Sequence, residues 1–282
     1  MYPTPPRLPE RPPCPPCPTT PTTAWLQDPV ASARLALACL DLTSLNDTDT
    51  EADIARLCER AQSRFGPVAA VCVWPRLAAF ARHQLPAHVA VAAVANFPDG
   101  STDVQRALRD TGTIVDSGAQ EVDVVLPYAA LRQGDVASVS ALLDAVRKAC
   151  PALRLKVILE TGELQDERLI LQACRLALDA GADFLKTSTG KTPVSATPEA
   201  AHLLLDAIRS DSHAADRVGF KPSGGIRTVA DAASYMALCE EFLGTASLTP
   251  ARFRIGASSI LSDIEAILGG TAPLVAAPAG TY

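Results

Sequence analysis

The sequence predicts an α/β fold, a single (β/α)8 TIM barrel. Three observations point there. After residue 30, eight short apolar, β-branched runs alternate with longer stretches of helical spacing. The 282 residues suit one such barrel, which takes about 250. The rival, a doubly wound open sheet, would carry a GxGxxG after its first strand. Here the first run ends in Asp41-Leu42-Thr43 instead.

Taken in order, residues 1–23 hold ten of the 23 prolines and almost no large apolar side chains. That composition reads as a disordered or polyproline-II extension outside the fold. Such a tail could also serve as a docking peptide for an SH3-like partner. Within it, Cys14-Pro-Pro-Cys17 has CxxC spacing. No second CxxC, nearby histidine or βαβ context accompanies it, so zinc or redox chemistry is not expected there. The barrel is assigned to residues 24–268. Its strands are expected at Leu35–Asp41, Val68–Trp74, His88–Asn96, Glu121–Leu126, Arg154–Glu160, Ala182–Lys186, Val218–Lys221 and Arg252–Ile255. Helices are expected near 50–64, 75–84, 101–117, 135–149, 166–179, 197–210, 228–241 and 258–268. Thr197-Pro198-Glu199 supplies an N-cap followed by proline at the first helical position. Asp179-Ala180-Gly181 ends a helix with glycine beyond it. Residues 269–282 form a loose Gly/Ala/Pro-rich tail ending in Tyr282.

Composition narrows the function classes. Apolar residues make up 48% and charged residues 20%, enough to bury a large core. A net charge of −6 argues against broad binding to nucleic acid or an anionic membrane. No apolar run is long enough to span a bilayer. Eight scattered cysteines without a secretory leader fit reduced thiols and a cytoplasmic location. The 25 basic residues are mostly arginine. The five lysines, Lys148, Lys156, Lys186, Lys191 and Lys221, fall in one third of the chain. Lysine offers a reaction arginine cannot, because it can lose its proton and attack a carbonyl.

In this fold the active site forms at the C-terminal ends of the strands. The residues there are Asp41, Cys72, Asn96, Asp123 (within its strand), Glu160, Lys186 and Lys221. Lys156 and Glu160 share parity, so both should face the interior. Three lysines and several carboxylates thus converge on one small volume. An unperturbed lysine is neutral in only about one molecule in 2,500 at pH 7. Desolvation and a second ammonium nearby both raise that fraction. Lys186 and Lys221 therefore suit Schiff-base chemistry, with Asp123 placed to move protons. Ser223-Gly224-Gly225 after strand seven and Gly256-Ala257-Ser258-Ser259 after strand eight suit a phosphate, with Thr189-Gly190-Lys191 as a third wall. None of His83, His88, His202 and His213 lies at a C-terminal strand end, so no metal and no cofactor are expected.

Seven segments resemble the deoxyribose-phosphate aldolase family. They begin Asp41-Leu42-Thr43-Ser44-Leu45-Asn46-Asp47, Asn96-Phe97-Pro98, Glu121-Val122-Asp123, Leu155-Lys156-Val157, Phe184-Leu185-Lys186, Gly219-Phe220-Lys221 and Phe253-Arg254-Ile255. The likeness runs from about residue 30 to the C-terminus. It implies a class I aldolase that reversibly cleaves 2-deoxy-D-ribose 5-phosphate into D-glyceraldehyde 3-phosphate and acetaldehyde. By similarity Lys186 matches the Schiff-base lysine, Lys221 the lysine that tunes it, and Asp123 the proton-relay acid. Gly190, Lys191, Gly224, Gly225, Ser258 and Ser259, with Thr189 and Gly256 beside them, match the phosphate site. Asp41 and Thr43 match residues near the sugar hydroxyls. Cys72 matches an active-site cysteine that reacts with aldehydes, and Tyr282 a C-terminal tyrosine that assists proton transfer at the enamine carbon. The implied partner is a small sugar phosphate, and a homodimer is allowed for. The rival readings are a transaldolase-like Schiff-base barrel and a catalytically silent sugar-phosphate binder.

Overall fold

The computed structural model describes residues 28–270. Cys14, Cys17 and Tyr282, and the expectations attached to them, lie outside the described residues.

The described chain opens with helix α1 (Pro29–Ala38), capped by Asp28, which accepts from the Val30 N–H. Strand β1 (Leu40–Thr43) follows. The first run was expected as a strand over Leu35–Asp41, and this is corrected. Its first half is the last turn of α1, whose buried face is Ser32, Ala33, Ala36 and Leu37, a helical stripe. Helix α2 (Glu51–Arg60) starts at a Thr50–Asp53 capping box. A small hairpin, β2 (Gln62–Ser63) and β3 (Gly66–Pro67), replaces the end of the helix expected over 50–64. Then come β4 (Ala70–Val73), α3 (Pro75–Gln84), β5 (Ala90–Ala95), α4 (Val104–Asp116) and β6 (Glu121–Val125). The short α5 (Tyr128–Arg132) and the longer α6 (Val136–Ala149) lead to β7 (Arg154–Ile158). One turn of helix, α7 (Thr161–Leu164), precedes α8 (Glu167–Asp179) and β8 (Phe184–Lys186). The last units are α9 (Pro198–Ser210), β9 (Gly219–Lys221), α10 (Val229–Leu243), β10 (Ile255–Ala257) and α11 (Ile260–Leu268). The eighth strand of the barrel therefore starts where the expected run Arg252–Ile255 ends, a second correction.

Eight strands form one parallel sheet in the order β10-β1-β4-β5-β6-β7-β8-β9. Two bridges, Phe220 to Phe253 and Ser223 to Gly256, join its ends. Backbone hydrogen bonds from Phe220 N to the Arg252 carbonyl (2.9 Å) and from Gly256 N to the Pro222 carbonyl (2.9 Å) complete the circle. Side chains alternate across the sheet. One set, including Leu42, Val71, Val91, Val122, Val124, Val157, Leu185 and Phe220, packs under the helices. The other set fills the barrel, and it is there that the charges sit. No helix among the described residues is long and apolar enough to cross a membrane. Six cysteines are described, all buried and unpaired by disulfides.

Candidate active site

Register decides which interior side chains meet. Lys186 on β8 and Lys221 on β9 are direct cross-strand partners. Asp123 on β6 pairs with Lys156 on β7, and Ile158, the next residue of β7 on the same face, pairs with Lys186. Lys156 thus lies one layer below Lys186, with Asp123 between them. The Asp123 carboxylate receives all three ammonium groups. Lys156 Nζ is 2.7 Å from Oδ1, Lys186 Nζ is 2.9 Å from Oδ2, and Lys221 Nζ is 2.8 Å from the same Oδ2. A second carboxylate, Asp41 on β1, accepts from Lys221 and lies 3.4 Å from Lys156. All these side chains are buried.

Each charge state follows from its neighbours. Burial pushes the Lys186 pKa down. The Lys221 ammonium adds to the push, and Asp123, its one carboxylate partner, only partly offsets it. Burial acts on Lys221 in the same direction, but the Asp123 and Asp41 carboxylates overcome it and hold the group charged. Lys156 is likewise raised, with Asp123 and Glu121 outweighing burial. Burial favours a neutral Asp123, yet Lys156, Lys186 and Lys221 keep its carboxyl well below the usual range. Lys186 and Lys221 are therefore neighbours, and they differ in how many anions each faces.

Of the other predicted residues, Thr43 points its hydroxyl at the Asp41 carbonyl, 2.8 Å away. Cys72 is buried in an apolar lining with Ala92, Val94, Val125 and Ile158, and burial raises its thiol pKa. Asn96 closes its strand but serves the loop. Its amide donates to the Ser101 and Val125 carbonyls at 2.8 and 3.0 Å. Glu160 is buried just past β7, with a left-handed backbone at φ 55°.

The expected phosphate residues gather at one rim. Gly190 and Gly224 have φ of +80° and +82°, which glycine adopts without strain. A Cβ on Gly224 would stand 3.1 Å from the Gly190 Cα, so these two loops touch. A Cβ on Gly256 would lie 2.5 Å from Ser223 Oγ and 3.1 Å from Lys221 Cε. Gly256 thus lets β10 approach the tuning lysine. Gly224 N donates to the Gly256 carbonyl at 3.2 Å, so that amide closes the barrel. The N–H groups of Gly190, Gly225, Ser258 and Ser259 have no acceptor among the described residues. Ser258 and Ser259 are exposed at the start of α11, and no side chain caps that helix. Lys191 and Thr189 flank Gly190, with Lys191 N donating to Thr189 Oγ1 at 3.0 Å.

Two further participants had no role assigned from sequence. Glu121 accepts from Arg254 (2.7 Å), Lys156 (2.6 Å) and Arg154 (2.9 Å). Arg254 also reaches Asp41 at 2.5 Å. The signal was available, since Glu121 shares parity with Asp123, and Arg254 with Gly256.

A parallel barrel that presents a desolvated lysine beside a second, charged lysine belongs, as a class, to enzymes that attack carbonyls with an amine. Comparison with known proteins agrees. Residues 35–259 match the family described as DeoC/LacD family aldolase. The chain belongs to that family and is an aldolase, a carbon–carbon lyase. It is 46% identical over 255 residues to the deoxyribose-phosphate aldolase of Agrobacterium fabrum, covering 89% of this chain and 97% of that one. Among solved structures, a Coccidioides immitis protein assigned as a deoxyribose-phosphate aldolase superposes with a TM-score of 0.72 at 30% identity, over 82% of this chain and 85% of that one. A Toxoplasma gondii protein given the same assignment superposes with a TM-score of 0.79 at 25% identity, over 86% and 98%.

Proposed function

We propose that this aldolase cleaves 2-deoxy-D-ribose 5-phosphate reversibly to D-glyceraldehyde 3-phosphate and acetaldehyde, with Lys186 as the Schiff-base nucleophile. The observation that carries the site assignment is the Asp123 Oδ2 atom, shared by the Lys186 and Lys221 ammonium groups at 2.9 and 2.8 Å. A single oxygen between two amines gives a proton path from the nucleophile to its neighbour. The substrate follows from the 46% identical relative and from the rim of unpartnered N–H groups, which suits a phosphate.

In the cleavage direction, neutral Lys186 adds to C1 of the open-chain aldehyde, and water leaves to give an iminium. The C3 hydroxyl loses its proton through Asp123 and water. The C2–C3 bond breaks, its electrons pass to the iminium nitrogen, and glyceraldehyde 3-phosphate departs. The enamine left on Lys186 is protonated at C2, and hydrolysis of the imine frees acetaldehyde. Lys221 stays charged and stabilises Asp123 as an anion between proton transfers. Gly190, Lys191, Gly225, Ser258 and Ser259 anchor the phosphate and hold the reacting carbon over the amine. Cys72, a protonated thiol, lines the chamber.

Borohydride trapping with acetaldehyde, read by peptide mass spectrometry, tests this. A reduced two-carbon adduct on Lys186, absent in Lys186→Ala together with turnover, is the expected result. An adduct on Lys156 or Lys221 would overturn the site assignment. Trapping with dihydroxyacetone and not acetaldehyde would favour a transaldolase-like donor.

A further inference from the structure

Glu160 is a buried acid at the mouth of the barrel that the mechanism above does not use. It follows β7 in a left-handed conformation, φ 55° and ψ 60°. A non-glycine residue there costs on the order of 1–3 kcal/mol and persists only when its surroundings demand it. Backbone bonds flank it on both sides: Leu159 N donates to the Lys186 carbonyl (2.9 Å) and Thr161 N to the Thr187 carbonyl (3.0 Å). The turn aims the carboxylate at the loop after β8. There it accepts from Thr189 N at 3.2 and 3.4 Å on its two oxygens and from the Thr189 hydroxyl, and it shares the Thr192 hydroxyl (3.2 Å) with the Val194 carbonyl (3.0 Å).

The direction of these bonds matters. A threonine hydroxyl has one proton. Thr189 Oγ1 gives that proton to Glu160, which leaves its lone pairs to receive Lys191 N–H at 3.0 Å. The carboxylate thus orients a relay from Lys191 through Thr189. Gly190, between those two residues, turns at φ +80° and keeps its own N–H without an acceptor among the described residues. The same turn abuts Gly224 on the neighbouring loop. Both Glu160 oxygens accept from donors of this loop, so its hydrogen bonds go to the turn, while Lys186 acts on it only through space.

We infer that Glu160 is a positioning residue that folds the Thr189–Thr192 turn into an anion cup and so sets the preference for a phosphorylated sugar over an unphosphorylated one. This rests on the substrate reading above. A neutral residue of the same shape should keep much of the effect, because geometry carries it.

The test compares wild type, Glu160→Ala and Glu160→Gln. Three quantities are read: kcat and KM on 2-deoxyribose 5-phosphate and on 2-deoxyribose, affinity for inorganic phosphate by thermal shift, and acetaldehyde trapping on Lys186. For Glu160→Ala, KM for the phosphorylated sugar should rise at least tenfold more than for the unphosphorylated one. Phosphate affinity should fall in parallel, and trapping should persist. Glu160→Gln should recover most of the selectivity. Equal losses on both sugars would overturn the inference. So would a Gln variant as impaired as Ala with a displaced pH–rate profile, which would assign Glu160 to proton transfer. If Glu160→Ala does not fold, Thr189→Val removes the middle link alone and must show the same selective loss. A wild-type protein that traps acetaldehyde and binds phosphate but leaves the deoxyribose phosphate intact would refute the substrate reading, while phosphate affinity would still decide the role of Glu160.

Discussion

Lys156 faces three carboxylates, Lys221 two and Lys186 one. Three lysines of one chemical type in one cavity are thereby sorted into two fixed cations and one titratable amine. Removing Lys221 tests the sorting. Lys221→Leu deletes the ammonium that repels a proton from Lys186, and it leaves Asp123 as a less shared counter-ion. Both effects raise the Lys186 pKa. The reactive form in the proposed mechanism is the neutral amine, so the acidic limb of the kcat/KM profile should move to higher pH. An unmoved limb would mean that the two amines are not coupled. Residue parity was enough to place Lys156, Lys186, Lys221 and Asp123 in one cavity. It did not reveal how many anions each lysine meets, because Asp41 and Arg254 come from opposite ends of the chain. Nor did it show that the Asp41 carboxylate, expected near the sugar hydroxyls, also accepts from Lys221 and Arg254 and lies 3.4 Å from Lys156.

At the scale of elements, the alternation of runs and helices was legible because each strand is bounded by polar or small residues. Where such punctuation is missing, the boundary slipped. Residues 35–42 read Leu-Ala-Leu-Ala-Cys-Leu-Asp-Leu, so the end of α1 and the start of β1 form one apolar run that no periodicity divides. β10 slipped for the opposite reason, since Gly256 and Ala257 carry little strand signal. The one-turn α7 is shorter than any helical period can resolve. Close packing of short strands also sets a demand that sequence alone does not show. A Cβ on Gly219 of β9 would lie 2.3 Å from the Phe184 ring and 2.7 Å from the Arg252 carbonyl. Neither can move freely, because the ring is fully buried and the carbonyl closes the barrel through Phe220 N. Gly219→Ala should therefore cost about 1–3 kcal/mol, the usual penalty for overpacking. Calorimetry should show a lowered Tm, and an unchanged Tm would mean that the β9–β10 seam yields.

Across the whole molecule, the barrel encloses four buried cations, Lys156, Lys186, Lys221 and Arg254, against three buried carboxylates, Asp41, Glu121 and Asp123. Arg154 joins this network from the surface through Glu121, and Glu160 stands apart from it at the mouth. The network also sets the pH limits of stability. Asp41 and Asp123 are held below the ordinary carboxylate range by neighbouring cations that outweigh burial. A depressed pKa contributes stability that is present above the unfolded value, about 3.9, and lost as pH falls through the folded one. Lys156 and Lys221 are raised, so their contribution is full below about 10.4 and declines as pH rises through the folded values. Resistance to unfolding should therefore form a plateau between these limits and drop below about pH 4. Glu121 is the sharpest probe of the network, since it holds Arg254 and Lys156 together without touching Lys186. Breaking a buried pair from one side costs about 3–5 kcal/mol, so Glu121→Ala should lower Tm by on the order of 10 °C. The double variant Glu121→Ala with Arg254→Met removes the stranded cation as well. It should be more stable than the sum of the two single changes predicts. If the losses simply add, Glu121 and Arg254 act independently, and the enclosed charges do not form a single coupled unit.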